Sequence, residues 1–352
     1  MWRLEARPAP SRVWVWASPV LALALTTLLG ILLFAALGKD PARGLQVFFW
    51  EHVRSVYALG ELGLKAAPLL LMALGLALAF RSNVWNIGAE GQFVMGAVFA
   101  GGVALAADAS AGGLTLPAML LAGAAGGMCW AAIAALLRDK CHASEILVSL
   151  MLVYVAVQVL GYLVYGPWKD PQGYNFPQTR LFGPAAQLPR LMDGSRLHAG
   201  LPLALAGAAL LWIWLFRTRA GFAQQVCGLA PAAARYAGFS SRRALWTAML
   251  ASGGAAGLAG ALEVAGPLRQ LTPNVPAGYG FAAIIVAFVG RLHPLGIVLA
   301  ALLMSMFYIG GELAQSRLGL PKSITGVFQG LLLFALLACD TLVHYRIRRG
   351  GR

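Results

Sequence analysis

Two short stretches hold much of the polar and aromatic chemistry that this chain places among its apolar runs. The first, residues 81–92, reads RSNVWNIGAEGQ and crowds Asn86, Glu90 and Gln92 between glycines. Such a cluster is either a pore-lining or gating element, or an ordinary turn with a helix cap. Backbone that is not helical at membrane depth is tolerated only where it is buried in protein or lines a water-filled cavity. Gly88 and Gly91 would allow that broken backbone. The second stretch, residues 273–291, reads PNVPAGYGFAAIIVAFVGR and sets Pro273, Pro276, Gly278 and Gly280 ahead of a short apolar run. Tyr279 and Phe281 either offer an aromatic wall to a ring-shaped solute or serve as packing and interfacial anchors. Short segments interrupted by Gly and Pro, one in each half, point to a transport path near the midplane.

Enzyme chemistry is poorly provided for. There is no H-E-x-x-H and no pair of carboxylates in an apolar run, and the five histidines are scattered. Cys129, Cys141, Cys227 and Cys339 fit no metal spacing and are expected as small apolar filler. No metal or cofactor is expected in this chain. No G-x-x-x-x-G-K-[ST] occurs, so the chain does not cradle ATP in the P-loop manner.

The elements that must position these residues are membrane spans. Of 352 residues, 59% are hydrophobic and 11% charged, against about 25% charged in an ordinary soluble domain. The expected fold is all-α: a polytopic membrane protein of about ten transmembrane helices, with short or broken helices in each half. The apolar runs cover residues 14–37, 62–80, 93–107, 114–137, 146–166, 201–216, 245–264, 281–290, 295–310 and 324–343, the third and eighth being short. The first run is too long for a signal-peptide core and is taken as a span.

The net charge of +14 gathers in short loops and at the termini. That is the pattern of topology determinants rather than of nucleic-acid binding, and it favours both termini inside. On that topology every cysteine lies in the membrane or on the inner side. Residues 167–200 form a large outer loop able to pack over the outer mouth. Residues 44–59, with Val47, Phe48, Phe49 and Trp50, are expected as a helix along the outer interface. Gly123 and Gly127, and again Gly253 and Gly257, are four apart and should let helix backbones approach closely.

Residues 217–243 carry five arginines and no acid. Within them Pro231 and Gly238 frame about two turns of helix over residues 231–237, with Ala232, Ala233 and Ala234 as strong helix formers. Ala230 stands where a capping side chain would be worth about 0.5–2 kcal/mol. A helix that short does not hold itself in water, so a partner surface is expected to grip it. Ser240 or Ser241 should cap the seventh span.

The segments N-I-G-A-E-G-Q (residues 86–92) and G-L-A-P-A-A-A-R-Y-A-G-F (residues 228–239) resemble the permease subunits of bacterial ABC importers. Within these the chain is most similar to the branched-chain amino acid and ribose permease superfamily, on its nucleoside or simple-sugar branch. The resemblance covers the chain from the second span to the tenth. It implies a half-transporter in the plasma (inner) membrane, residues 1–352 forming a single transmembrane permease domain. It also implies partners: an ABC ATPase subunit, a second permease subunit in a homo- or heterodimer, an extracytoplasmic solute-binding protein and the lipid bilayer. The coupling residues it implies are Gly228, Pro231, Ala234, Arg235, Tyr236 and Gly238, with Arg235 offering charge to an acidic groove. Asn86, Glu90, Gln92, Tyr279 and Phe281 are the translocation-path candidates. Two departures stand out: Ala230 replaces the family's usual Asn, and Ala283, Ile284 and Ile285 replace its Gly-Ile-Ala.

A branched-chain amino acid permease of the same kind is one alternative. An ATP-independent secondary transporter is another, and a membrane-embedded enzyme a third. Ion-coupled carriers keep ionisable residues inside their spans, and here mid-span acids are missing, with Glu90, Glu145 and Asp340 near inner ends.

Overall fold

The structure is a computed structural model that describes residues 2–7, 11–107, 112–192 and 194–349. It is almost wholly helical. The helices are α1 (Arg12–Ala36), α2 (Pro41–Leu45), α3 (Val56–Arg81), α4 (Ala89–Ala106), α5 (Thr115–Cys141), α6 (Glu145–Tyr165), α7 (Gly200–Arg217), α8 (Arg219–Leu229), α9 (Pro231–Tyr236), α10 (Ser241–Glu263), α11 (Tyr279–Val289), α12 (Pro294–Leu318) and α13 (Ile324–His344). Two strands, β1 (Trp2–Ala6) and β2 (Tyr345–Arg349), frame them. Among the described residues nine helices are long and apolar enough to cross a membrane, and α11 is a shorter apolar helix of 11 residues. The eighth span is therefore short, as expected. The third is not: α4 has 18 residues and takes Glu90 and Gln92 into its first turn. α12 also runs eight residues beyond the expected end, to Leu318.

The chain divides into two compact units. One comprises Met1–Leu59 and Met304–Arg352. Here α1 packs along α13, and β1 pairs antiparallel with β2, Leu4 opposite Ile347. The expected interfacial helix over residues 44–59 is replaced by α2, a π-helical turn Gln46–Trp50 and a 3-10 turn Glu51–Val53. Phe48 is fully buried and stacks on Phe328 at 4.3 Å, with Phe34 and Phe307 around it. The apolar side chains that suggested a surface-lying helix thus point in two directions. Val47 and Phe48 fill a core, whereas Trp50, Val53, Val56, Tyr57 and Leu59 are exposed. Arg317 pairs with Glu51 in the same unit.

The other unit spans Gly60–Leu303. The small-residue faces pack as their spacing requires. Gly123 and Gly127 of α5 lie directly against Gly253 and Gly257 of α10, and Gly96 of α4 closes on Gly257. Where water supplies no driving force, backbone contact this close replaces side-chain burial as the source of attraction.

The loops of this unit sort into two ends, as a chain that crosses a layer at each span must do. At one end Arg81 Nε donates to the Leu292 carbonyl at 2.8 Å and Arg81 Nη1 to Gln225 at 3.0 Å. Arg242 pairs with Asp139 at 2.8 Å, and Arg138 with Glu145, at the same end. This basic end also carries Lys140, Arg217, Arg219, Arg235, Arg243 and Arg291. At the opposite end the 167–200 loop lies along residues 265–271. The Thr179 amide donates to the Leu271 carbonyl at 3.0 Å, Phe182 to Arg269 at 2.8 Å and Leu188 to Ala265 at 2.9 Å. Arg196 clasps Glu61 with two hydrogen bonds, the Nε one at 2.9 Å.

His198 sits inside this cap, buried, with Nδ1 accepting the Gly200 amide at 3.0 Å. Burial pushes its pKa from 6.5 down to about 4. The folded chain therefore holds the imidazole neutral where the unfolded chain protonates it, and stability is lost as pH falls from about 6.5 through about 4. The melting midpoint of wild type should drop more steeply across that window than that of His198→Asn, which keeps an acceptor without titrating. Parallel pH profiles would contradict the assignment.

All four cysteines are free. Cys227 and Cys339 are buried filler, whereas Cys129 and Cys141 are exposed, so that expectation holds for only half of them.

Candidate functional site

Between the two ends the two polar stretches meet. After α3 stops at Arg81 the chain turns and runs without helix from Val84 to Gly88. Ser82, Val84, Asn86 and Gly88 are buried, while Asn83 and Trp85 are exposed and Ile87 is half-buried, the alternation of an extended strand. Asn86 donates to Gln92 at 2.8 Å and to Ser252 Oγ at 2.7 Å. Its own oxygen accepts from Gln92 at 2.9 Å and from the Gly88 amide at 3.1 Å. This reciprocal amide pair closes the entry to α4 and leaves neither side chain free. Ser252 lies eleven residues along α10 from its start at Ser241. At 1.5 Å per residue that is about 16 Å, or roughly half of a 30 Å hydrocarbon layer. The Asn86 side chain thus reaches well in from the basic end, where the Trp85 amide faces Glu145 at 3.4 Å, and it is buried in protein there.

Glu90 reaches across to α11. Its carboxylate accepts the Gly278 amide at 2.8 Å and the Gly280 amide at 2.5 Å, so it caps the start of that short helix. Gly278 has φ +77°, and a Cβ on Gly280 would run into the Glu90 backbone, so both glycines are required at their places. Tyr279 is buried edge-on to Phe93, its hydroxyl accepting from Lys65 Nζ at 2.9 Å. The other end of α11 is fastened to the same stretch, because Phe288 stacks on Phe80 at 5.2 Å and on Trp85 at 6.2 Å. Asn86, Glu90, Gln92 and Tyr279 are therefore brought together. Phe281 is not among them; it stays 42% exposed.

Sequence reasoning missed Lys65, although a lysine early in an apolar run was the available signal. Glu61, Lys65, Glu90 and Glu263 all fall within candidate spans, the three acids nearer the ends than the middle. Glu61 is tied to Arg196 and Glu90 to two amides, so both carboxyl groups are held in fixed positions.

At the basic end the short helix appears as α9, Pro231–Tyr236, with Ala237 as its C-cap and Gly238 at φ +81°. Ala230 offers no capping side chain, and Ser240 caps α10 by accepting the Arg243 amide. The expectation that only a partner could hold this helix is corrected. Ala234 is fully buried with Cys227 and Ala244, flanked by Val226 and Phe239. α8 also escaped sequence reasoning; its signal was Thr218, whose hydroxyl caps it by accepting the Gly221 amide at 3.0 Å. α8 ties the loop to the polar stretch: Gln224 donates to Ser82 Oγ at 2.7 Å, and a Cβ on Gly228 would strike the backbone of Arg81 and Ser82. Pro231, Arg235 and Gly238 are exposed, Tyr236 is 97% exposed, and Leu229 at the end of α8 is 85% exposed.

Within the Gly60–Leu303 unit, long apolar helices packed with the 11-residue α11 beside the polar stretch, and a small helix at the basic end, are the build of a transport permease. Residues 59–337 match the family described as branched-chain amino acid transport system / permease component, and the chain belongs to it. It is similar to the glucose ABC transporter permease protein TsgB13 of Haloferax volcanii, 34% identical over 96% of this chain and 92% of that protein. It is also similar to the guanosine ABC transporter permease protein NupP of Bacillus subtilis, 31% identical over 90% of this chain and 91% of that one. The probable riboflavin import permease protein RfuC of Treponema pallidum is 25% identical over 93% and 88%. No solved structure matches the chain.

Proposed function

We propose that this chain is the membrane subunit of an ATP-driven importer of nucleosides or simple sugars. It acts as one permease domain in the plasma (inner) membrane, with its basic end and both termini in the cytoplasm. ATP is hydrolysed on a separate ATPase subunit, a second permease completes the path, and a solute-binding protein delivers to the capped end. The observation that carries this is the exposure of Tyr236 on α9, a small helix packed onto α8 and α10, together with that of Leu229 at the end of α8. Closure of the ATPase pair would push on Arg235 and Tyr236. The push passes from Ala234 to Cys227 in α8, through Gln224 and Gly228 to Ser82, and along residues 82–92 to Glu90 and α11. Alternating access then amounts to moving α11, with Phe281 on its solute side and Asn86, Glu90, Gln92 and Tyr279 setting its position.

The nucleoside or sugar class rests on relatives named for glucose, guanosine and riboflavin; each of these solutes carries several hydroxyls. An ion-coupled carrier gains something from the ionisable groups in the spans. Glu61 and Glu90, however, are occupied by an arginine and by two amides, which suits structure better than a proton relay.

The test is association. Tyr236→Ala combined with Arg235→Ala should cut co-purification of the ATPase encoded beside this chain about tenfold or more, as loss of an exposed aromatic and Arg anchor does elsewhere. Membrane level and melting should stay unchanged. Undiminished ATPase capture, or nucleoside uptake by the purified chain in liposomes without ATP, would defeat the proposal. The solute itself is best read from which nucleoside or sugar raises the melting point of the adjacent binding protein.

A further inference from the structure

An apolar groove of about 440 Å³ runs between α7 and the start of α12, lined by Leu205, Trp212, Ile213, Pro294, Leu295 and Val298 among others. At its basic end the lining changes character. The Arg217 guanidinium lies 5.3 Å from the Trp212 ring, and Phe216 bridges Arg81 and His293. Arg217 and Arg219 are exposed and, among the described residues, neither has a carboxylate partner. Nothing nearby in sequence supplies one: residues 194–262 and 264–311 contain no Asp or Glu. The Trp212 indole N–H is likewise without an acceptor among the described residues.

We infer that this groove is a binding site for an anionic phospholipid, one acyl chain lying along Leu205–Ile213 and the phosphate meeting Arg217 and Arg219. The dimensions agree with one leaflet. Leu205 to Arg217 is twelve residues of helix, about 18 Å, close to half the hydrocarbon thickness plus the start of the headgroup layer. The chemistry also agrees. Apart from the Trp212 N–H toward its basic end, the lining offers no side-chain hydrogen-bonding group that a hydrocarbon chain would leave unmatched. Cations at its cytoplasm-facing rim select a negative headgroup, and a tryptophan belongs at that boundary. Leu203, Leu210, Leu295 and Leu299 beside the groove are exposed, as lipid-facing side chains are. A zwitterionic lipid would fill the same groove but leave two arginines uncompensated.

The experiment uses the purified full chain in neutral detergent, probed with phosphatidylglycerol, phosphatidylcholine of the same chains, and inorganic phosphate. Native mass spectrometry and melting are the readouts. Phosphatidylglycerol should be retained and raise the melting midpoint, phosphate should do neither, and phosphatidylcholine should bind more weakly. Arg217→Gln and Arg219→Gln should each weaken phosphatidylglycerol retention about fivefold, the worth of one cation near a membrane surface. Ala209→Trp, which fills the groove and leaves both arginines, should also abolish it. Equal retention of the two lipids, or unchanged phosphatidylglycerol binding in the double arginine variant, would overturn the site. So would a cross-link between two copies through cysteine placed at Leu295, because the groove would then belong to a subunit contact.

Discussion

Replacing Glu90 by alanine is expected to be among the most damaging single changes in the chain. The variant should unfold at markedly lower denaturant, with a loss of about 2–6 kcal/mol, since it strands the two amides of Gly278 and Gly280, each costing about 1–3 kcal/mol. The helix it caps is only 11 residues long, and Gly280 at its start is buried. Glu90→Gln is the informative companion. Glutamine keeps one acceptor oxygen but turns an NH₂ toward the second amide, so it should recover at most about half of the loss. The measurement is unfolding of the purified chain in mixed micelles. Glu90→Ala within about 0.5 kcal/mol of wild type would mean that the carboxylate does not hold α11.

The second large effect is expected at Gly257. A methyl group there would sit 2.8 Å from the Gly127 amide nitrogen and Cα and closer still to the Gly123 carbonyl oxygen. All of these are backbone atoms, which cannot rotate aside. Gly257→Ala should therefore force α5 and α10 apart and cost about 3 kcal/mol, the upper part of the range for overpacking. Gly161→Ala on α6 is the matched control. Nothing lies within 4 Å of its added Cβ, and the better helix former should leave stability unchanged or raise it by up to about 1 kcal/mol. Equal behaviour of the two variants would show that the small-residue seam is not a contact.

The contrast between these glycines shows what could be read before any fold was known. The spacing of Gly123 and Gly127, and of Gly253 and Gly257, announced a close helix approach because periodicity on one helix face is a local property. The short eighth span and the framing of α9 by Pro231 and Gly238 were legible for the same reason. Glu90 was visible as an anomaly, but its partners are the amides of Gly278 and Gly280, almost two hundred positions away, and no local pattern encodes that meeting. α9 was misjudged for a related reason. Propensity said that so short a helix could not stand alone, and it does not; its support is Cys227 and Ala244 of its own chain, which only tertiary packing reveals. Residues 44–59 failed differently. Their run of apolar side chains was correctly noticed, but composition does not say which of them turns toward a core.

The pairing of β1 with β2 has a practical bearing on how the protein can be handled. Because Trp2 lies opposite Arg349 and Ala6 opposite Tyr345, residues 2–6 and 345–349 form one ribbon. A fluorescent protein on one end and its acceptor on the other would report near-maximal energy transfer whatever the bundle is doing. Splitting that signal, by peeling the ribbon with a proline in either strand, would show whether the two chain ends must stay clasped while α1 and α13 work.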